Sequence, residues 1–124
     1  MERDLLTSRV IGAAIEVHRM LGPGLLESTY RVCLTEELRL RGLSTRSETT
    51  VPLVYKGLRI EHAFRLDLLV EERLIVETKA VAALLPVHSA QVLTYLRCTG
   101  MNLGLLLNFN TMMMKDGIVR LVLG

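Results

Sequence analysis

Phe64-Arg65-Leu66-Asp67-Leu68-Leu69-Val70, followed after Glu71-Glu72-Arg73 by Leu74-Ile75-Val76-Glu77-Thr78-Lys79, is the stretch that decides the fold. Aliphatic residues recur in both segments at a period near two, which reads as two β-strands joined by a short turn. With a three-residue loop at 71–73, Val70 faces Leu74, and counting outward sets Asp67 opposite Glu77 and Arg65 opposite Lys79. Residues directly opposite in an antiparallel pair have Cβ atoms about 4.5–5.5 Å apart. Alternation then predicts one core face of Leu66, Leu68, Val70, Leu74, Val76 and Thr78. The other face carries Arg65, Asp67, Glu77 and Lys79 beside Leu69 and Ile75. A slip of one residue would divide the two acids between faces.

Two carboxylates this close repel, and each raises the other's pKa unless a cation intervenes. Lys79 or a divalent metal supplies such a charge. Mg²⁺ suits the arrangement, because it takes one or two carboxylates, keeps several waters and accepts a phosphate oxygen. A bound ion of this kind lowers the pKa of its water and stabilises charge developing on a phosphate. Lys79, two residues after Glu77, shares its face and can orient that water. The competing reading of the same four residues is a structural ion pair on a solvated hairpin face, since Glu-x-Lys by itself is common.

Outward from this hairpin the chain divides cleanly. Upstream, Thr50 to Tyr55 and Leu58 to His62 flank Lys56-Gly57, a second hairpin signal. Before it, a helix is predicted from an N-cap at Thr7 or Ser8 to Leu21, where Gly22-Pro23-Gly24 breaks the chain. A second helix runs from about Leu26 to Arg41 and ends at Gly42. Glu27, Tyr30, Leu34 and Leu38 share its inner face, so a carboxylate points the same way as the core. Downstream, Pro86 opens a third helix that ends before Gly100. His88, Gln91 and Tyr95 form one polar stripe along it, which can be simply its wet side, while Val92, Leu93 and Leu96 offer a core face. Asn102 to Phe109 reads as a buried strand and Ile118 to Leu123 as a last, marginal one.

The bulk properties frame the same picture. The 124 residues suit one domain with a genuine core, and half are hydrophobic with a mean hydropathy of +0.36. Aromatics make up only 4% and Trp is absent, so the core must be Leu, Val and Ile. Fifteen Lys and Arg against thirteen Asp and Glu give a net charge of +2, which permits an anionic partner without requiring one. Cys33 and Cys98 lie in separate helical patterns and form no C-x-x-C pair, as expected of a cytoplasmic protein. Glu16 interrupts the apolar run Val10 to Val17, so neither a signal peptide nor a membrane span is expected.

Gly24-Leu25-Leu26-Glu27-Ser28-Thr29-Tyr30 matches the G-x-x-E-x-x-Y signature of the bacterial GxxExxY proteins. Ile15-Glu16-Val17-His18, Gly22-Pro23-Gly24, Pro86-Val87-His88 and Gly104 to Asn110 resemble the same family, and the likeness covers nearly the whole chain. That family in turn resembles the PD-(D/E)XK nuclease superfamily, in the branch with a Q-x-x-x-Y helix. Leu66 stands where the superfamily pattern has Pro, and Thr78 where an apolar residue is usual.

The resemblance implies an α/β, restriction-endonuclease-like fold over residues 1–124, with a central mixed β-sheet flanked by helices. It implies a hydrolase that cleaves phosphodiester bonds of nucleic acid, DNA in preference to RNA, with Mg²⁺ or Mn²⁺ as cofactor. Asp67, Glu77 and Lys79 are then the catalytic residues, and Glu27 joins Asp67 and Glu77 as a metal ligand. Gln91 and Tyr95 fit the Q-x-x-x-Y motif and, with His88, border the substrate. Two other readings stay open: a module that binds nucleic acid or a phosphate ligand without cleaving it, and a structural or regulatory partner domain. The second would rest on Leu103 to Leu107 and Met112-Met113-Met114 as a surface for another protein, including a second copy of the chain. No basic cluster or aromatic platform marks single-strand stacking.

Overall fold

The computed structural model describes residues 2–124, with side chains from Leu5 onward. Helices α1 (Glu2–Leu21) and α2 (Glu27–Leu40) precede strands β1 (Thr45–Tyr55), β2 (Leu58–Val70) and β3 (Leu74–Lys79). Helix α3 (Pro86–Thr99), strand β4 (Leu103–Asn108), a 3₁₀ turn (Met114–Gly117) and strand β5 (Ile118–Val122) complete the order. The five strands form one mixed sheet in the order β1-β2-β3-β4-β5. Only β3 and β4 run parallel, and α3 is the crossover between them; the other pairs are antiparallel. This is the helix-flanked mixed sheet that the resemblance implied.

One departure comes at the N-terminus. Helix α1 starts at Glu2, not after a cap at Thr7, and Thr7 is buried inside it at 6% exposure. The apolar spacing of Leu6, Val10, Ala13 and Val17 carries the helical period back past the expected start. The ends of α3 fall where Pro86 and Gly100 place them, with Gly100 at φ +73°. The segments predicted as separate strands before and after Ala63 are one continuous β2, paired with β1 along most of its length.

A leucine-rich core fills both sides of the sheet. On one side α1 and α2 bring Leu6, Val10, Val17, Tyr30, Leu34 and Leu38 against Leu68, Val70, Leu74, Val76, Leu105 and Leu107. On the other, Tyr95 and Leu96 of α3 meet Val51, Leu66, Leu69 and Ile75. Gly104 lets α3 lie close: a Cβ there would stand 2.7 Å from Val92 Cγ1. Strand β4 is buried at every residue between β3 and β5, so Leu103 to Leu107 offers no surface to a partner. Of the expected methionine patch, Met112 and Met113 are exposed while Met114 is buried. No helix among the described residues is long and apolar enough to cross a membrane.

The predicted hairpin register holds where β2 and β3 pair. Val70 faces Leu74, Leu69 faces Ile75 and Leu68 faces Val76. Glu71 and Glu72 both adopt positive φ, and Arg73 N–H donates to Val70 O at 3.0 Å, the geometry of a tight primed turn. The ladder then stops. Arg65 does not oppose Lys79; it pairs with Thr50 of β1 and forms an ion pair with Glu48 at 2.9 Å. Leu66 also departs from the expected pattern, packing on the α3 side while Leu68 and Val70 pack on the α1–α2 side. In a regular strand residues 66, 68 and 70 share a face. The faces therefore exchange across Asp67, opposite Glu48, which takes a φ of +52° on β1.

Candidate active site

The site grows from the place where β3 parts from β2. Asp67 and Glu77 are the next pair outward from Leu68 and Val76, and there side chains take over the backbone's hydrogen bonding. Asp67 N–H donates to Glu77 Oε2 at 2.9 Å, and Thr78 N–H donates to Asp67 Oδ2 at 3.0 Å. Each acid thus accepts from the other strand where a carbonyl would otherwise stand, so both carboxylates are fixed by the opening of the sheet.

Glu27 reaches this point from α2. Its Oε2 accepts from the Thr78 hydroxyl, which also lies 3.2 Å from Asp67 Oδ2. Tyr30, one turn further along α2, makes the approach possible. Its ring stacks on Phe109 at 4.7 Å between centroids. Its hydroxyl donates to Gly22 O at 2.6 Å and accepts from Leu25 N–H at 3.1 Å. The tyrosine therefore pins the Gly22-Pro23-Gly24 turn that aims the start of α2, and Glu27 with it.

The other side of the site comes from α3. Tyr95 is buried at 8% exposure and stacks on Phe64, with centroids 4.4 Å apart. Burial, then the charges of Glu77 and Asp67, push its phenol above the usual range, so it stays protonated at neutral pH and able to donate. Glu27 and the α3 stripe lie on opposite sides of the sheet. Glu27 comes from the α1–α2 side to Thr78, and Tyr95 comes from the α3 side within the electrostatic reach of Glu77 and Asp67. Gln91 lies exposed one turn before Tyr95. His88 is engaged locally, its Nδ1 accepting from Leu85 N–H at 3.0 Å at the start of α3. His18 is engaged elsewhere, its Nε2 lying 2.7 Å from Thr111 O, which ties α1 to the segment after β4.

Glu77 is the most perturbed acid. Burial chiefly, then the neighbouring Asp67 and Glu27, push its carboxyl up to about 7, against the lowering effects of Asp67 N–H and the Lys79 ammonium. Lys79 follows on the same strand and forms no ion pair within 4 Å among the described residues, so its amine is uncommitted. The backbone around it is well held: Phe109 N–H donates to Lys79 O, and the buried Asn108 amide clamps Val81 by accepting from its N–H and donating to its O, both at 3.0 Å.

Among the described residues no three His, Cys, Asp or Glu side chains make a ready metal cage. The donor chemistry nevertheless fits a hard divalent ion held by few protein ligands and its own waters. Glu27 and Asp67 both reach Thr78 beside Glu77, whose proton is held chiefly by burial and then by these neighbouring acids. Sequence spacing missed two participants, Thr78 and Arg31. The Arg31 guanidinium lies 3.8 Å from Glu27 and 3.7 Å from Asp67. The signal for it was Glu27-x-x-x-Arg31, a spacing that more often marks a solvated helix pair.

No curated protein and no solved structure matches the chain. A family model does, over residues 4–121, and its description is the PD-(D/E)XK nuclease superfamily. That match runs from within α1 to within β5 and takes in the whole acid cluster. The chain belongs to the PD-(D/E)XK nuclease superfamily.

Proposed function

We propose that this protein is a metal-dependent nuclease that hydrolyses phosphodiester bonds of nucleic acid, DNA in preference to RNA. The observation that carries this reading is the convergence of Glu27, Asp67 and Glu77 at the parting of β2 and β3, with the free amine of Lys79 beside them. A solvated ion-pair face would not bury Glu77 to 3% exposure or raise its carboxyl to about 7. Glu27, Asp67 and Glu77 would hold Mg²⁺ or Mn²⁺, which when bound supplies a Lewis acid for the phosphate and an acidified water.

The chain's own residues supply the rest. Glu77 gives up its proton near neutral pH and so becomes a ligand where hydrolysis is to run. Lys79 orients the attacking water and stabilises charge gathering on the phosphate oxygens. Tyr95 stays a neutral donor at the rim, and the exposed Gln91 borders the nucleic-acid strand. His88 holds the start of α3, which carries both.

Cleavage of a mixed panel of single- and double-stranded DNA and RNA, with Mg²⁺ or Mn²⁺, tests this reading. Lys79→Ala should lower turnover by about 10²–10³ and spare metal and nucleic-acid binding. Asp67→Ala should lose metal binding and turnover together. A metal-loaded protein that binds nucleic acid yet cleaves no member of the panel would make this a binding module instead.

A further inference from the structure

Every ion pair of known geometry among the described residues brings its charged atoms to 2.9 Å or less, except those of Arg31. Its Nη1 stands 3.8 Å from Glu27 Oε1 and 3.7 Å from Asp67 Oδ1. Charge-assisted contacts normally close to about 2.7–2.9 Å, so this guanidinium is attracted without being hydrogen-bonded. It is not loose for want of confinement, because its side chain is only 19% exposed.

The partner oxygens explain the position. Glu27 and Asp67 each commit one oxygen to Thr78: Glu27 Oε2 accepts from the hydroxyl, and Asp67 Oδ2 from the backbone N–H at 3.0 Å. The remaining oxygen of each, Oε1 and Oδ1, faces one and the same nitrogen of Arg31. Thr78 thus orients two carboxylates into a cradle that opens on a single positive centre. Without that centre, Glu27 and Asp67 would stand together with no ion-pair partner among the described residues, an arrangement that is costly in a poorly solvated place.

We propose that Arg31 is a built-in counter-ion that fills the cation position of this site, and that a divalent metal binds by displacing it. The inference rests on the metal-dependent reading above and adds a residue and a competition to it. Arg31 steadies the acids while the site is empty of metal and sets the metal affinity low, because loading requires the guanidinium to leave both Oε1 and Oδ1. Its attachment at 3.7–3.8 Å, against hydrogen-bonded pairs elsewhere, is what makes the exchange feasible.

The test is Mn²⁺ binding by the full chain, read from loss of the free-ion paramagnetic resonance signal, for wild type, Arg31→Met, Arg31→Lys and Asp67→Asn. Arg31→Met should bind Mn²⁺ about tenfold more tightly than wild type, the order expected when a charge about 4 Å away in a partly screened site is removed. Arg31→Lys keeps the charge and should stay close to wild type. Equal or weaker binding by Arg31→Met overturns the proposal. Asp67→Asn separates that failure from a failure of the metal reading. If wild type binds, Asp67→Asn does not and Arg31→Met equals wild type, the metal site stands and only the role of Arg31 falls. If no form binds Mn²⁺, both fall. Should Arg31→Met be unfolded in chelator, the same competition is read as recovery of the fold on adding Mn²⁺, and absence of recovery overturns it.

Discussion

Replacing Glu77 by Gln should remove most of the pH dependence of stability in the metal-free protein. Glu77 ionises near 4.5 in an unfolded chain and at about 7 in the fold, because burial and Asp67 disfavour its charged form. The folded state therefore binds this proton more tightly than the unfolded one. Its contribution to stability is fully present below about pH 4.5 and is lost as pH rises to about 7. At about 1.36 kcal/mol per pH unit the interval amounts to at most about 3 kcal/mol. Gln keeps an oxygen to accept from Asp67 N–H and carries no charge. Glu77→Gln should therefore match wild type near pH 5 and exceed it at pH 8 by up to about 3 kcal/mol, about 10 °C in Tm for a chain of this length. Urea and thermal unfolding in chelator between pH 5 and 8.5 measure it. Parallel stability profiles for the two proteins would refute the assignment of the raised carboxyl to Glu77.

Tyr30→Phe keeps the stack on Phe109 and loses the hydroxyl that holds Gly22 and Leu25, so unfolding should show a loss of about 1–3 kcal/mol. Its cleavage defect should exceed what that instability explains at a temperature where the variant is folded, because Glu27 follows the turn. Gly117→Ala would set a Cβ 2.0 Å from Asn108 O, a backbone atom that cannot step aside cheaply, and should cost more stability than Gly104→Ala, whose nearest obstacle is a Val92 methyl. Comparing the two denaturation midpoints decides the order. His18→Leu should lower stability by about 1–3 kcal/mol through the unsatisfied Thr111 carbonyl and leave kcat unchanged, since His18 lies outside the acid cluster.

Local chemistry by itself determined a good deal here. Period-two alternation and the 71–73 turn set the pairing of Val70 with Leu74, because the turn and the first apolar pair leave only one register that buries both strands. Pro86 and Gly100 bounded α3, since one cannot continue a helix backward and the other takes a left-handed φ. Asp67, Glu77 and Lys79 stood out because charges inside an aliphatic strand need a reason, and Glu27 because a carboxylate fell in line with Tyr30, Leu34 and Leu38.

Tertiary structure alone decided how those groups meet. Counting by twos assumes a regular strand, and the exchange of faces at Asp67, opposite the positive φ of Glu48, has no signature in residue type. It put Leu66 under α3 and opened the sheet so that Asp67 and Glu77 accept each other's backbone donors. Thr78 read as one more core residue, yet its hydroxyl joins Glu27 to Asp67 across 51 and 11 residues of chain. Arg31 went unmarked in the sequence, because helical spacing sets it beside Glu27 alone and cannot show a second carboxylate arriving from a strand. Periodicity reports which neighbours along the chain share a face. Whether a charge finds its partner depends on distances across elements, and those exist only once helix and sheet have packed.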